Sequence, residues 1–485
     1  MGTVETEVHR HSLLMLGSSA GMTFIGVLAT MFYAHWLGAE VLGAYFLFLS
    51  TYNLLALLSD LGFNAAALKR ISEGVRPDAF FTLSLVIRFV LLFGVVSLLM
   101  VAFRYRFVDL NNAGLFWPLI VVFGIGTLSS CLSTAIGGAN RLGLSASMSI
   151  LDNVTRIAVQ FALVLLGFRV FGLVGGVAAG LLVEIVIALR YIDFRIVRVR
   201  LEQLRSMVNY SVWAFLAASG VAVMDNANVI LIGYFMESSD VGIFGICWTF
   251  SFFALFVSTA LSNTLWVKVS RWGATGDRDA IALSLSRSCS YALLFAIPIL
   301  AGGVILGRDL LYYLYSASFA AGFGVLVILL LARTMQSISQ LFYTFLMALD
   351  AARDGFTVVL AGSATNLVLS LALIPVLGLP GAAAGSLAAV VVCLVLAAGR
   401  LRRLTPVRLD LRALMRFLGS AAVMSVVVLA GQAAVPIHSF VKPLLLVVVG
   451  AGVYFGILLA ADPGLRGDAR RTLHIRWWGE GDGKR

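Results

Sequence analysis

The sequence predicts an all-α polytopic membrane protein with about 14 transmembrane helices. Three observations carry that expectation. Of the 485 residues 60% are hydrophobic and 12% charged, and the mean hydropathy is +0.99, more apolar surface than a water-soluble chain of this length can hide. The apolar residues fall in long runs divided by short polar breaks. Those runs are continuous Leu, Val, Ala and Phe stretches without the period-two alternation of a barrel strand. A helix crosses a hydrocarbon core of roughly 30 Å with about 20 apolar residues, and in lipid only helices and closed barrels satisfy every backbone group.

Taken in order, spans 13–36 and 41–67 flank the break Leu37-Gly38-Ala39-Glu40. The first is too long for a signal peptide and lacks its small-residue cleavage site, so it is read as a helix. Spans 80–103, 113–138, 145–167 and 170–189 complete a first set of six. The longest break, 194–207, sets Arg195, Arg198, Arg200 and Arg205 among Ile, Val and Leu. This pattern reads as a short interfacial helix joining two lobes. Spans 208–235, 241–267, 281–306, 319–349, 356–377 and 380–399 form a second set, and 413–433 and 440–461 stand outside both. The tail 464–485 places basic residues beside Trp477 and Trp478, which suits the headgroup zone. The expected organisation is an N-terminal tail 1–12, a first lobe 13–193, the linker 194–207, a second lobe 208–400, helices 13 and 14 within 401–461, and a basic tail 462–485.

Lys and Arg fall overwhelmingly in alternate breaks, which sets both termini in the cytoplasm and the location in the cell inner or plasma membrane. The formal charge of +11 then means attraction to anionic lipid headgroups, not to nucleic acid. The four cysteines, Cys131, Cys247, Cys289 and Cys393, sit in or at the edge of spans and read as small buried apolar residues. The five histidines show no metal spacing, and Asn153-Val154-Thr155 lies within a span, so its glycosylation pattern is discounted. No break can hold a soluble domain, and the chain has no P-loop, no Asp-x-Asp metal motif and no zinc cluster. A cofactor and an enzymatic activity are therefore not expected.

An internal repeat supports the two lobes. Residues 38–71 and 237–270 align without a gap at an offset of 199, so Gly43 meets Gly242, Tyr45 meets Phe244, Asn64 meets Asn263 and Lys69 meets Lys268. Further on, Ala139-Asn140-Arg141-Leu142-Gly143 resembles Ala351-Ala352-Arg353-Asp354-Gly355, and Gly172-Leu173-Val174-Gly175 resembles Gly378-Leu379-Pro380-Gly381. The shared order predicts duplication of a six-helix unit. An even number of spans per copy gives both the same orientation and a pseudo-twofold axis along the membrane normal, with two extra C-terminal helices beyond the repeat.

Charges deep in a membrane are expensive and face a cavity or a partner. At 1.5 Å per residue, Asp60 lies roughly 10 Å from the cytoplasmic end of span 2 and Arg88 roughly 12 Å into span 3, too deep to snorkel. Asp60 equally suits a brace at its helix end. Asp152 and Arg156 stand at i, i+4 in span 5 and can neutralise each other, and Glu184 lies in the inner half of span 6. Asp225 is near the middle of span 7 with Asn226 and Asn228. Arg333, Gln336, Ser337 and Gln340 recur at spacings of three and four, one polar stripe on span 10. Such a stripe lines a cavity or forms a hydrogen-bonded seam between helices. The candidates for the cavity are Arg333, Arg88, Arg156, Gln336, Gln340 and Asn228, and those for ion coupling are Asp225, Asp60, Asp152 and Glu184. Three deep arginines thus face four deep acids, so the expected cavity is not strongly cationic.

The run Leu37-Gly38-Ala39-Glu40-Val41-Leu42-Gly43-Ala44-Tyr45, then Leu58-Ser59-Asp60-Leu61-Gly62-Phe63, then Lys69-Arg70, resembles the N-terminal signature of polysaccharide-biosynthesis (O-antigen, Wzx-type) flippases. These belong to the multidrug/oligosaccharidyl-lipid/polysaccharide exporter superfamily, whose members resemble a V of two six-helix bundles. The resemblance implies export of a polyprenyl-pyrophosphate-linked oligosaccharide to the outer leaflet by alternating access, with membrane lipids and other polysaccharide-assembly proteins as partners. Arg holds phosphate oxygens bidentately, and Asn, Gln and Ser bond sugar hydroxyls. Two alternatives stay open. One is an H+- or Na+-coupled exporter of organic cations, which the acids favour. The other is a membrane enzyme of polysaccharide assembly, which the short external breaks disfavour.

Overall fold

The structure, a computed structural model, describes residues 2–103, 114–407, 410–434, 441–461 and 466. Most of the break after the third span and, apart from Arg466, the basic tail with Trp477 and Trp478 lie outside the described residues. Among the described residues there is no strand, and fifteen α-helices account for the fold: α1 (Gly2–Asp60), α2 (Phe63–Ser72), α3 (Pro77–Phe103), α4 (Phe116–Gly138), α5 (Leu142–Leu165), α6 (Arg169–Tyr191), α7 (Leu201–Phe235), α8 (Ser238–Ser251), α9 (Phe256–Thr275), α10 (Arg278–Leu310), α11 (Phe323–Ala348), α12 (Ala352–Leu377), α13 (Leu379–Leu401), α14 (Leu411–Ala434) and α15 (Val441–Ala461). Thirteen helical stretches are long and apolar enough to cross a membrane. Many large apolar side chains point outward, among them Leu98, Val186 and Val448 at 68%, 67% and 71% exposure, as a lipid-facing surface requires. This is an all-α, multi-pass membrane protein.

The first of those stretches accounts for two spans. A helix of 59 residues would run about 90 Å, some three times the hydrocarbon thickness. Gly38 interrupts it with φ 79° and ψ 178°, a backbone that glycine reaches without the clash a Cβ brings. It divides the stretch where the Leu37–Glu40 break was expected. The helix also begins at Gly2, ahead of the expected start at 13.

One expectation is overturned. The expected short interfacial helix over 194–207 does not form as a separate element: 194–200 is non-helical, and 201–207 is the first part of a long helix. Residues 192–200 form no helix, with Ile192 and Arg200 extended at either end, and α7 starts only at Leu201. The Ile196, Val197 and Val199 run favours extended backbone over helix. Two of its N–H groups find side chains at the start of α3: Arg195 N donates to Asp78 Oδ1 at 3.0 Å and Val197 N to Thr82 Oγ1 at 3.1 Å.

The chain divides into two compact units, each assembled from two stretches of sequence. The first comprises Met1–Thr249 and Phe356–Ala389, the second Phe250–Gly355 and Val390–Arg485. A core in the first unit gathers Phe63, Phe80, Phe81, Leu132, Ile136, Met148 and Met207 from α2 to α7. In the same unit α1 and α8 cross backbone to backbone. A Cβ on Gly43 would overlap the Ser238 carbonyl and one on Gly242 would overlap the Ala39 carbonyl, and each glycine also lies against the other's amide nitrogen. The offset of 199 maps Ala39 onto Ser238 and Gly43 onto Gly242. The contact therefore repeats itself when the two copies are exchanged.

The core of the second unit packs α10 against α14 and α15 through Leu294, Ile297, Phe417, Met424 and Tyr454. Pro298 lies inside α10. It has no N–H, so the carbonyl four residues earlier, that of Leu294, loses its helical donor. The Tyr454 hydroxyl, on α15 and fully buried, donates to this Leu294 oxygen at 3.0 Å. The C-terminal helices, which sequence reading set outside the repeat, thus repair a break in α10.

Candidate functional site

In the first unit, charge within the membrane-length helices forms two groups. Asp60, the last residue of α1, accepts from the backbone N–H of Gly62 and Asn64 at 3.1 and 3.0 Å. It thereby fixes the turn into α2. Its Oδ1 also lies 2.5 Å from Nη1 of Arg88 on α3, whose side chain is 3% exposed against 21% for Asp60. Asp60 therefore braces a helix end and neutralises a buried arginine.

The second group spans α4, α5 and α6. Ser129 donates to Glu184 Oε2 at 2.5 Å. One turn earlier on α6, Gly180 leaves the space that the Asp152 carboxylate fills from α5. Arg156 does not close the expected i, i+4 pair: no Arg156–Asp152 bridge is found among the described residues, and its Nη2 donates instead to Asn153 Oδ1 at 2.5 Å. Asp152 nonetheless lies within electrostatic reach of both Arg156 and Glu184, and all three are half-buried. The arrangement is two carboxylates and a guanidinium, hydrogen-bonded by neutral side chains and partly open.

Asp225 and Asn228, neighbours on α7, are placed differently. Asp225 is exposed, whereas Asn228 is buried and donates to Ser386 Oγ on α13 at 2.7 Å. Asn366 on α12 donates to the same oxygen at 3.4 Å. Asn228 thus joins a hydrogen-bonded seam between helices. Asn226 accepts from Asn53 of α1 at 3.2 Å.

In the second unit, Arg333 is 3% exposed on α11. Its Nη1 donates to Gln336 Oε1 at 2.5 Å and its Nε to Ser251 Oγ at 3.4 Å. Its guanidinium carbon lies 4.1 Å from the centroid of the Phe252 ring, within cation–π range. Two turns on from Arg333, Gln340 donates to Thr259 Oγ1 at 3.3 Å and accepts from Ser258 at 3.4 Å. The stripe therefore grips a short 3-10 turn, Phe252–Leu255, that separates α8 from α9. It forms a hydrogen-bonded seam, with Gln336 and Gln340 half-buried at its edge.

Sequence reading missed Gln160, which is buried on α5 and donates to Tyr45 Oη at 2.9 Å and to the Leu173 carbonyl at 2.8 Å. It also missed Asn64, which donates to Ser130 at 2.6 Å. Neutral amides carry no charge signal. Their depth in apolar runs was the available clue.

A multi-pass helical membrane fold with paired and half-paired charge inside its helices defines a carrier-like architecture. The model of the polysaccharide biosynthesis protein family matches residues 11–255, and the chain belongs to that family. It is similar to the probable low-salt glycan biosynthesis flippase Agl15 of Haloferax volcanii, 24% identical over 444 residues that cover 92% of this chain and 93% of the relative. It is also similar to the probable flippase AglR of the same organism, 26% identical over 473 residues, covering 96% and 98%. In fold it is similar to the lipid II flippase MurJ in an inward closed conformation, with a TM-score of 0.75 at 15% identity, covering 92% of this chain and 98% of that one. An inward-facing MATE family multidrug resistance transporter of the MOP superfamily gives a TM-score of 0.62 at 16% identity, covering 79% and 95%. The family expected from Leu37–Arg70 is the family found.

Proposed function

We propose that the protein flips a polyprenyl-pyrophosphate-linked oligosaccharide, a precursor of a cell-surface polysaccharide, from the cytoplasmic to the outer leaflet by alternating access. A glycan head crosses only where hydrogen-bonding side chains replace lipid. The observation that carries this reading is the half-buried group of Asp152, Arg156 and Glu184 within otherwise apolar helices. Near-full-length similarity to chains named as glycan flippases supports the lipid-linked cargo. In this reading both termini are cytoplasmic, and residues 13–193 and 208–400 are repeat-related lobes joined by 194–207. The Lys and Arg asymmetry and the offset of 199 support those assignments.

A second reading, a cation-coupled exporter, draws on the same acids and on the likeness to MATE transporters. Asp152 and Glu184 are the pair suited to hold a coupling H+ or Na+. Asp60 is not, because Arg88 and two backbone amides already occupy its oxygens.

The test uses full-length protein in liposomes with a fluorescent polyprenyl-pyrophosphate-linked oligosaccharide and an impermeant quencher. Protein-dependent movement of the label between leaflets is expected. Movement no faster than in empty liposomes, with organic-cation export driven by an ion gradient, overturns this reading in favour of the second.

A further inference from the structure

The second unit holds a cleft apart from the Arg333 seam, between the two arms of the α9–α10 hairpin. Its volume is about 590 Å³. Three cations converge on it, Lys268 and Arg271 from α9 and Arg287 from α10. Among the described residues its lining contains no Asp or Glu. The nearby Asp277 is engaged in the hairpin turn, where it accepts from the Ala280 N–H at 3.0 Å. A surface-charge bias alone would scatter cations over the hairpin tip. Arg287 instead sits nine residues into α10, about 14 Å from its start.

The first repeat copy handles the same positions differently. At the offset of 199, Lys268 corresponds to Lys69, Arg271 to Ser72 and Trp272 to Glu73. In that copy Arg70 pairs with Glu73 at 2.9 Å, and Lys69 lies 4.6 Å from the centre of the Tyr210 ring. The second copy replaces the acid with Trp272, which lines the cleft along with Tyr291. The cleft is also graded in polarity. Leu261 and Leu265 lie up to two turns beyond Lys268 along α9, so charge at one end gives way to hydrocarbon at the other.

We propose that this cleft captures the pyrophosphate of a polyprenyl-linked lipid, a site that rests on and deepens the flippase reading. Lys268, Arg271 and Arg287 hold the phosphate oxygens by charge-assisted hydrogen bonds, and the first isoprene units lie along Leu265 and Leu261. Three cations in a lining that holds no acid match the double charge of a pyrophosphate diester better than the single charge of a phosphodiester headgroup.

The test is binding of an undecaprenyl-pyrophosphate-linked monosaccharide to the full-length protein in phosphatidylcholine nanodiscs. The variant Lys268→Gln/Arg271→Gln/Arg287→Gln is expected to bind about tenfold more weakly or worse. Its thermal unfolding should not change, because all three side chains are exposed. The variant Arg402→Gln/Arg403→Gln, which removes two exposed cations outside the cleft, is expected to bind like the wild type. The proposal is overturned if the triple variant binds within about twofold of wild type, or if both variants lose binding equally. It is also overturned if phosphatidylglycerol displaces the probe at equal concentration. Flipping by the wild type, measured alongside, separates this site from the function. A wild type that flips while the triple variant binds normally removes the site alone. A wild type that does not flip, with binding lost only in the triple variant, supports the site and removes the flippase reading.

Discussion

At Arg88 and Asp60 the membrane's intolerance of lone charge decides the local structure. Removing one partner of a buried pair leaves the other ion uncompensated, at a cost of about 3 kcal/mol or more. Asp60→Asn is therefore expected to destabilise the detergent-solubilised protein by about 3 kcal/mol in thermal or denaturant unfolding, and Asp60→Asn/Arg88→Met to recover most of that loss. A double variant no more stable than the single one would show that the pair is not the reason. Depth in the sequence identified Arg88 as unable to snorkel and Asp60 as suited to a brace. Their partnership was hidden because it joins α1 to α3 through packing. Arg156 shows the limit of spacing rules: i, i+4 places it near Asp152, yet its rotamer delivers the hydrogen bond to Asn153. The Arg333 stripe had two open readings, and in the structure both Arg333 and Asn228 are buried and hydrogen-bonded to neighbouring helices.

The helices were legible where an apolar run meets a breaker, as at Gly38, and illegible where tertiary partners decide. The 194–200 segment stays non-helical as Asp78 and Thr82 receive two of its N–H groups, partners that lie more than a hundred residues away. The Pro298 break in α10 was visible in sequence, but its repair by Tyr454 was not. Tyr454→Phe strips the Leu294 carbonyl of its donor, and a buried acceptor left without one costs about 1–3 kcal/mol. A matching fall in unfolding free energy is expected, and an unchanged value would show that water or another group takes the role of the phenol. At the α1–α8 crossing, Gly43→Val and Gly242→Val each force the backbones apart, at a cost of about 1–3 kcal/mol. Because the contact is reciprocal, the two variants should show similar losses of stability and transport. A large loss from one and none from the other would contradict that equivalence.

For the whole chain, composition and the spacing of breaks were enough to read a multi-pass helical protein and its family. The grouping of Phe356–Ala389 with the first 249 residues was not readable, since no linear pattern reports which distant helices pack together. The proposed orientation, with both termini cytoplasmic, predicts a labelling result. With the four native cysteines replaced, Glu237→Cys should react with an impermeant maleimide from outside intact cells, and Asp277→Cys only after permeabilisation. The reverse pattern would invert the topology. The crossing of α1 and α8 also speaks to ancestry. An isologous interface is one in which residue i touches j and j touches i across identical surfaces, and Ala39, Gly43, Ser238 and Gly242 meet that condition within a single polypeptide. Two identical half-length proteins would have made this very contact as a homodimer, so gene fusion could preserve a working dimer seam while leaving each half free to acquire its own charges.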